Sequence, residues 1–251
     1  MILDDIISRT KKRVDKLPDT FPKLDGFCHA SLEAAIRSAG QKNPVIAEIK
    51  CTSPSSGIIR RNVDISMMAG VLSDGGCVAI SVLTEPFFFG GVGADIARVK
   101  KAVRVPVLRK DFVIDVRQIH ESRALGADAV LLIAAVLKDR VADFVDTAYA
   151  AGIEPLVEVH TAEEVDYALA TKAQLIGINN RDLSTMTINR STTRNLTERV
   201  RETGRLIVSE SGIRSADDVR EMRPYCDAFL IGSSIMAHAE PGKKLEELVC
   251  A

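Results

Sequence analysis

Four charged residues stand at or just beyond the ends of apolar, β-branched runs in this sequence: Lys50, Lys110, Glu158 and Glu210. A charged side chain is costly to bury unless it is paired, so each one should either face solvent or meet a partner. Solvent exposure is a reasonable interpretation of any single one, but not of all of them together. Lysines and glutamates that converge shift one another's pKa values, as acid–base catalysis requires. The set predicts an acid–base site.

The elements that must position these residues alternate regularly from Pro44 onward. Short apolar runs predict strands at 45–49, 78–83, 105–108, 129–133, 155–159, 175–178, 206–208 and 228–231. Amphipathic stretches between them predict helices at 65–72, 116–125, 140–150, 162–169 and 216–222. Thr161 with Glu164, and Ser215 with Asp218, have the spacing of capping boxes at helix starts. The chain therefore reads as alternating strands and helices.

The predicted strands are continuously apolar, as parallel strands buried on both faces are. Eight such strands with helices between them indicate an α/β fold, a (β/α)8 TIM barrel. An open doubly wound sheet is the alternative, but it usually has fewer strands and a glycine-rich turn that residues 50–54 lack. No linker divides the chain, so we expect residues 1–251 to form one barrel domain with 1–43 as an N-terminal helical extension.

Two helices are predicted within that extension. Apolar residues recur at helical spacing from Leu3 to Leu17, and Pro18 ends the pattern. A second, short helix is predicted at 32–39, with Ser31 as its N-cap.

Polar residues are concentrated where the predicted strands end, which in a barrel is the rim that holds the active site. Strand 1 supplies Glu48 and Lys50, strand 3 supplies Lys110, and strand 5 supplies Glu158. The later strands supply Asn179, Asn180, Arg181, Ser209, Glu210 and Ser211. The sequence thus predicts that side chains from several strands meet at one site.

Two glycine-containing turns follow the last two predicted strands. Gly212 follows strand 7, and Gly232 and Ser233 follow strand 8, with a short helix predicted at 233–237. Barrels often bind phosphate with these two loops and the N-terminus of such a helix. Glycine lets backbone N–H groups approach a phosphate closely, so we expect a phosphorylated small molecule as the ligand.

The composition narrows the class of protein. The net charge of −1 over 251 residues is not that of a basic nucleic-acid-binding domain. No apolar stretch approaches the length of a membrane span, and Asp4 and Asp5 interrupt any signal-peptide pattern. Five cysteines without a CxxC pair indicate free thiols and no metal site. We expect a cytoplasmic protein without nucleic-acid or membrane partners, and a monomer is one possible state.

Seven segments together resemble the indole-3-glycerol phosphate synthase family. The first is Ile-Ala-Glu-Ile-Lys-Cys-Thr-Ser-Pro-Ser at 46–55, which is similar to the family's first-strand signature. The others lie at 83–91, 108–112, 155–159, 177–183, 209–213 and 229–234. The resemblance covers nearly the whole chain. Single motifs such as the final Ile-Gly-Ser-Ser recur in other phosphate-binding barrels, but the combination is specific.

The resemblance implies a reaction and a division of roles. Enzymes of this family convert 1-(2-carboxyphenylamino)-1-deoxyribulose 5-phosphate into indole-3-glycerol phosphate, releasing carbon dioxide and water, and need no cofactor or metal. Lys110 would be the general acid, and Lys50 would bind the anthranilate carboxylate or donate a second proton. Glu48 and Glu158 would remove protons and stabilise the cationic intermediate.

The same resemblance implies the binding residues. Those that would position the sugar and polarise the catalytic groups are Asn179, Arg181, Glu210 and Ser211. Those that would hold the phosphate are Gly212, Gly232 and Ser233. Those that would line the apolar slot for the aromatic ring are Phe89, Phe112, Leu131 and Leu183, and Ser53 also belongs to the substrate-binding set. In the family the N-terminal segment covers the mouth of the barrel, although a plain packing helix would show the same pattern.

The sequence departs from the family pattern beside the first strand. Cys51 and Thr52 stand where relatives usually carry a basic residue after the strand-1 lysine, and Ser56 replaces a lysine before Gly57 in many relatives. We expect less positive charge near the substrate carboxylate, with the reaction unchanged.

Two alternatives remain. Phosphoribosylanthranilate isomerase is another phosphate-binding barrel and uses a cysteine with an aspartate, so Cys51 would be its candidate base. A non-catalytic barrel that binds a phosphorylated metabolite is the other. Lys50 and Lys110 with Glu158 favour the synthase. The four histidines have no readable partners, so we expect structural or solvent-facing roles for them.

Overall fold

Eight parallel strands close into a barrel in the computed structural model, which describes residues 2–22, 28–182 and 185–251. In chain order they are β1 Val45–Ile49, β2 Ala79–Leu83, β3 Val107–Lys110, β4 Ala129–Ile133, β5 Glu154–Val159, β6 Leu175–Asn179, β7 Leu206–Glu210 and β8 Ala228–Ile231. Each strand pairs in parallel with its neighbours in sequence, and β1 pairs with β8 to close the ring. The predicted (β/α)8 barrel is confirmed.

Helices surround the barrel and close its ends. In the described ranges they are α1 Ile2–Val14, α2 Leu32–Arg37, α3 Ile65–Asp74, α4 Ala94–Ala102, α5 Val116–Leu125, α6 Ala134–Leu137, α7 Val141–Ala150, α8 Ala162–Leu169, α9 Ser191–Arg201, α10 Ala216–Met222, α11 Ser233–Ala237 and α12 Pro241–Val249. A small hairpin, Thr52–Ser53 with Gly57–Ile58, follows β1. No helix of this described part is long and apolar enough to cross a membrane.

Strand ends are where the structure departs from the sequence prediction. β3 runs through Arg109 and Lys110, and β7 runs through Glu210, so both strands extend beyond their apolar runs. The polar residues continue the strands because they have buried partners; Arg109, which is 2% exposed, pairs with Asp111 and Glu121. A prediction from apolar content alone therefore ends these two strands too early, before the polar residues that form the site.

The structure also differs from the prediction at the end of α1 and at the start of α8. α1 ends at Val14 rather than near Leu17, because the backbone then forms tighter turns, with the N–H of Leu17 donating to the carbonyl oxygen of Val14. The Ser215–Asp218 capping box is confirmed. Thr161 caps α8, but the side chain of Glu164 accepts the backbone N–H of His160 instead of that of the cap residue.

The two ends of the barrel interior are closed by the two N-terminal helices. The interior is filled by one apolar side-chain cluster that includes Leu32 and Ile36 of α2 at one end and Ile6 of α1 at the other. α2 is fixed where the strands begin, since the Glu154 carboxylate accepts the Leu32 backbone N–H at 2.7 Å. α1 lies at the opposite end, where the strands end and where Ile2, Leu3 and Ile6 line a cavity.

Candidate active site

A cavity of about 380 Å³ opens at the carboxyl ends of the strands. The residues predicted for the site that line it are Glu48, Lys50, Ser53, Phe89, Lys110, Phe112, Leu131, Glu158, Asn179, Arg181, Glu210, Ser211, Gly212, Gly232 and Ser233. Leu183, the remaining predicted residue, lies outside the described residues. Ile2, Leu3 and Ile6 of α1 line the cavity as well. The barrel therefore brings the described part of the predicted set to one place.

Lys110 is the centre of the charged group in this cavity. Its Nζ lies 3.2 Å from Glu158 Oε2 and 3.2 Å from Glu210 Oε2, so one ammonium group bridges two carboxylates. Both glutamates are 1% exposed. The three residues come from β3, β5 and β7, alternate strands of the barrel, whose side chains at the same height point into the interior together.

The surroundings shift the pKa values of Lys110, Glu158 and Glu210 in different directions. Burial lowers the pKa of Lys110, but Glu210, Glu158 and Glu48 outweigh it, leaving that pKa above its ordinary value. Burial raises the pKa of Glu158, but Lys110 and His160 outweigh it, leaving that pKa below its ordinary value. Burial and the neighbouring negative charge raise the pKa of Glu210 to about 8, despite Lys110. At neutral pH this gives a charged lysine, an ionised Glu158 and a protonated Glu210.

Replacing Glu210 by glutamine is expected to stabilise the fold at alkaline pH. The pKa of Glu210 rises from 4.5 to about 8 on folding, so the folded chain keeps a proton that the unfolded chain loses. Stability of the wild type therefore falls as pH rises through that window. We expect Glu210→Gln to gain about 2–4 kcal/mol in unfolding free energy at pH 8, since one pKa unit corresponds to about 1.4 kcal/mol. Urea unfolding from pH 5 to pH 8.5 measures the difference.

The exposed Glu198 on α9 provides the matched control. Glu198→Gln should leave the pH dependence of unfolding as it is in the wild type. A Glu210→Gln protein less stable than the wild type at pH 8 would contradict the burial of a protonated Glu210.

A hydrogen-bond network connects Glu158 to the loops after β6 and β7. Asn179 Nδ2 donates to Glu158 Oε1 at 3.2 Å, and Asn179 Oδ1 accepts the Ser211 hydroxyl at 2.9 Å and the Arg181 backbone N–H at 3.0 Å. Ser211 has a φ of 66°, which places its backbone in the left-handed region. A non-glycine residue in that region is strained and persists only where its surroundings hold it, as this network does.

A second lysine and an apolar wall form the other side of the cavity. Lys50 Nζ lies 3.5 Å from Glu48 Oε1 and 5.7 Å from the centre of the Phe89 ring. The Phe89 and Phe112 rings are tilted, with centres 6.3 Å apart, and Leu131 lines the same cavity. A cation beside aromatic and aliphatic side chains suits a ligand that is a flat ring with an acidic group.

The turn after β8 approaches Glu48 closely, and the turn after β7 contains a glycine with a left-handed backbone. A Cβ added at Gly232 would lie 2.7 Å from Glu48 Oε1, so only glycine allows that backbone and the carboxylate to be neighbours. Gly212 has a φ of 93°. α11 begins at Ser233, as predicted, so its first backbone N–H groups lie at the cavity rim. Unpaired N–H groups at a helix start favour an anion.

Comparison with known proteins gives the family. The model of the family described as indole-3-glycerol phosphate synthase matches residues 3–248. The chain belongs to the indole-3-glycerol phosphate synthase family. A synthase of that name from Caldanaerobacter subterraneus subsp. tengcongensis is 42% identical over 94% of this chain and 93% of its own length. One from Methanocaldococcus jannaschii is 39% identical over 99% of this chain and 98% of its own length.

Solved structures show the same fold at low sequence identity. The tryptophan synthase alpha chain from Legionella pneumophila subsp. pneumophila superposes with a TM-score of 0.63 at 13% identity, over 86% of this chain and 95% of that one. Thiamine phosphate pyrophosphorylase from Pyrococcus furiosus superposes with a TM-score of 0.60 at 18% identity, over 82% and 93%. These likenesses establish the barrel fold alone.

The structure also places residues at this synthase-family site that sequence reasoning did not assign. Glu85, 1% exposed, accepts the backbone N–H groups of Phe87 at 3.0 Å and Phe89 at 3.1 Å, and so fixes the aromatic wall. Asp111 accepts from Arg13 of α1 at 2.7 Å, which ties the helix over the mouth to the residue after Lys110. Their position directly after β2 and β3 was the available signal, but it did not reveal their partners.

His160 and Cys51 differ in how close they come to the charged group. His160 was expected to have a structural or solvent-facing role, yet its Nε2 lies 3.4 Å from Glu158 Oε1. Cys51 does not line the cavity, and burial raises the pKa of its thiol, so it is not a poised acid–base group. This geometry disfavours the isomerase alternative.

Proposed function

We propose that the cavity binds 1-(2-carboxyphenylamino)-1-deoxyribulose 5-phosphate and that Lys110 is its general acid. As a member of the indole-3-glycerol phosphate synthase family, the chain is a carboxy-lyase that makes indole-3-glycerol phosphate in tryptophan biosynthesis. The observation that carries the assignment of Lys110 is its position 3.2 Å from each of two buried glutamates inside the cavity. Such a lysine keeps its proton at neutral pH, as a general acid must before the reaction begins.

The substrate fits the cavity in one orientation. Its phosphate lies against Gly212, Gly232 and the start of α11 at Ser233, where backbone N–H groups are accessible. Its aromatic ring lies against Phe89, Phe112 and Leu131, with Ser53 in the same lining, and the part of Leu183 in binding the ring stays a prediction. The ribulose chain spans the distance between them and brings its carbonyl to Lys110. This orientation is supported by the cavity lining, which includes the described phosphate-binding residues and the described ring-binding residues.

Ring closure begins when Lys110 protonates the substrate carbonyl oxygen. The carbonyl carbon then accepts the electron pair of the ring carbon that carries the carboxylate, and a new carbon–carbon bond forms. Loss of carbon dioxide restores the aromatic ring, and loss of the hydroxyl as water follows. Lys50 holds the carboxylate or donates the second proton, and Glu48 and Glu158 remove protons and stabilise the cationic intermediate.

The remaining polar residues position these groups. Asn179 holds Glu158 in place and is itself held by Ser211. Glu210 holds Lys110 from the side opposite Glu158. Arg181 lines the cavity, which supports the proposal that it contacts the sugar hydroxyls.

Replacing Lys50 by methionine tests which end of the cavity holds the carboxylate. Methionine keeps the apolar stem and removes the charge, so we expect anthranilate to inhibit the variant about 10- to 100-fold less strongly, as loss of a hydrogen bond to a charged group implies. Inorganic phosphate should inhibit the variant as it does the wild type, because it binds at the other end. Inhibition constants for both anions against the same substrate measure the two ends separately.

Lys244→Met in α12, outside the cavity lining, is the matched control and should leave both constants unchanged. Equal weakening of anthranilate and phosphate in Lys50→Met would contradict the orientation.

We further propose that residues 1–251 act as one barrel domain with 1–43 as its extension, and as a monomer in the cytoplasm. The cavity is lined by residues of the barrel together with α1 of the extension, which supports their acting as one unit. The five cysteines are all free thiols, which fits a reducing compartment. Neither nucleic acid nor membrane has a part in the proposed reaction.

A further inference from the structure

His160 lies directly behind the glutamate to which we assign proton removal. It follows β5, and its Nε2 is 3.4 Å from Glu158 Oε1, the oxygen that faces away from Lys110. The side chain is 12% exposed and does not line the cavity. His160 can therefore influence the reaction only through Glu158.

The other ring nitrogen of His160 faces a second carboxylate. Nδ1 lies 3.1 Å from Glu164 Oε2, in the first turn of α8, and that oxygen also accepts the His160 backbone N–H at 2.8 Å. Each ring nitrogen therefore lies near a carboxylate oxygen, but only Nδ1 forms a hydrogen bond, so the protonated ring acts on Glu158 through its charge across 3.4 Å. Burial lowers the pKa of His160, but Glu164 and Glu158 outweigh it and leave that pKa above its ordinary value.

Lys110 Nζ lies 3.2 Å from each of the two glutamates but forms a hydrogen bond only to Glu158 Oε2, since Glu210 Oε2 has no hydrogen-bond partner. A further difference lies on their far sides. Glu158 Oε1 faces His160 and accepts from Asn179, whereas Glu210 Oε1 faces the backbone of Gly177 and accepts no hydrogen bond. Neighbouring carboxylates resist ionising together, so the one with the additional cation keeps its charge.

We propose that His160, held by Glu164, is the positioning residue that leaves Glu158 ionised and places the shared proton on Glu210. The inference rests on the proposed function, in which Glu158 removes a proton from the substrate. The inference adds that a histidine outside the cavity determines which of the two glutamates, Glu158 or Glu210, is ionised and acts as the base.

The pH dependence follows from the groups around Glu158. Lys110 of β3 faces one oxygen, and Glu210 of β7 and Glu48 of β1 add negative charge nearby. Glu164 of α8 faces His160 from behind. His160 is therefore the cation on the Oε1 side, and removing it raises the pKa of Glu158. The acid limb of the kcat profile, which reports ionisation of the base, then moves to higher pH.

His160→Gln tests the proposal. We expect the acid limb of its kcat profile to lie about 1–3 pH units higher than in the wild type, the usual effect of a nearby opposite charge. Activity relative to the wild type should fall about tenfold at pH 5.5 and recover towards pH 8, with KM nearly unchanged. A loss that is the same at every pH would indicate a merely structural histidine and overturn the proposal.

Carbon-13 NMR of the glutamate carboxyls, recorded without substrate, separates this inference from the proposed function. In His160→Gln the titration of Glu158 should move up and that of Glu210 should move down. A Glu158 titration that does not move overturns the inference. A Glu158 titration that moves while the kcat profile does not would instead overturn Glu158 as the base.

Two further variants complete the design. His120→Gln changes an exposed histidine on α5 and should leave both titrations in place. Glu164→Gln removes the anchor but keeps the imidazole, and should move the Glu158 titration in the same direction by a smaller amount. It provides the test if His160→Gln does not fold, and an unmoved Glu158 titration in it counts against the proposal.

Discussion

Replacing Lys110 by alanine is expected to lower kcat by about 10³- to 10⁴-fold, the upper part of the range that one positioned acid contributes. The ammonium group that would protonate the substrate carbonyl is lost. One of the two positive charges that keep Glu158 ionised is lost with it, because the same Nζ lies 3.2 Å from that carboxylate. Steady-state and single-turnover rates of product formation measure the loss.

The fold should survive this substitution. Glu158 would be left without its lysine, but it can take up a proton, which is how buried carboxylates avoid an unpaired charge. Substrate binding should remain, since the phosphate and the aromatic ring bind elsewhere in the cavity. Lys172→Ala, a surface lysine whose side chain is 77% exposed, is the control. Turnover of Lys110→Ala near that of the wild type would exclude Lys110 as the general acid.

Replacing Gly232 by alanine is expected to lower kcat/KM by about 10²-fold. The added Cβ would lie 2.7 Å from Glu48 Oε1 and 3.0 Å from Glu48 Cβ, so the carboxylate must move. The backbone cannot give way easily, because β8 and β1 are paired up to Ile231 and Ala47. Displacement of a catalytic group by about 1 Å costs about this much. Steady-state kinetics with folding checked by thermal denaturation measure the effect.

Gly70 in α3 offers a matched control for the added methyl group. No heavy atom lies within 4 Å of a Cβ built there, so Gly70→Ala should leave the kinetics unchanged. It should also stabilise the helix by about 0.5–1 kcal/mol. Kinetics of Gly232→Ala within about twofold of the wild type would show that Glu48 tolerates displacement, and would contradict its place in proton removal.

The barrel could be predicted from the sequence because its strands are buried on both faces. β1, β4 and β8 begin and end where their apolar runs do, since neither face of the strand needs a polar residue. β3 and β7 extend further than their apolar runs because Lys110 and Glu210 point into the barrel, where Lys110 Nζ lies 3.2 Å from Glu210 Oε2. That pairing joins residues 100 positions apart, so local composition contains no sign of it.

The position of the site followed from the same topology, since barrel strands deliver their last residues to one rim. The sequence did not reveal which of the charged side chains at this rim contact one another. His160 and His120 look alike as isolated histidines, but the turn before α8 directs one towards Glu158 and α5 leaves the other exposed. Likewise, Glu85 and Asp111 follow strands as Lys50 does, and only the folded structure shows that Glu85 holds Phe89 and that Asp111, which lines the cavity, holds Arg13.

The most direct test of the activity is to incubate the purified chain with 1-(2-carboxyphenylamino)-1-deoxyribulose 5-phosphate and a metal chelator, and to follow indole fluorescence. We expect indole-3-glycerol phosphate to accumulate with multiple turnovers and no added cofactor. Folded protein that binds this substrate but forms no indole-3-glycerol phosphate would contradict the assignment of Lys110, Glu158 and Glu210 to its chemistry.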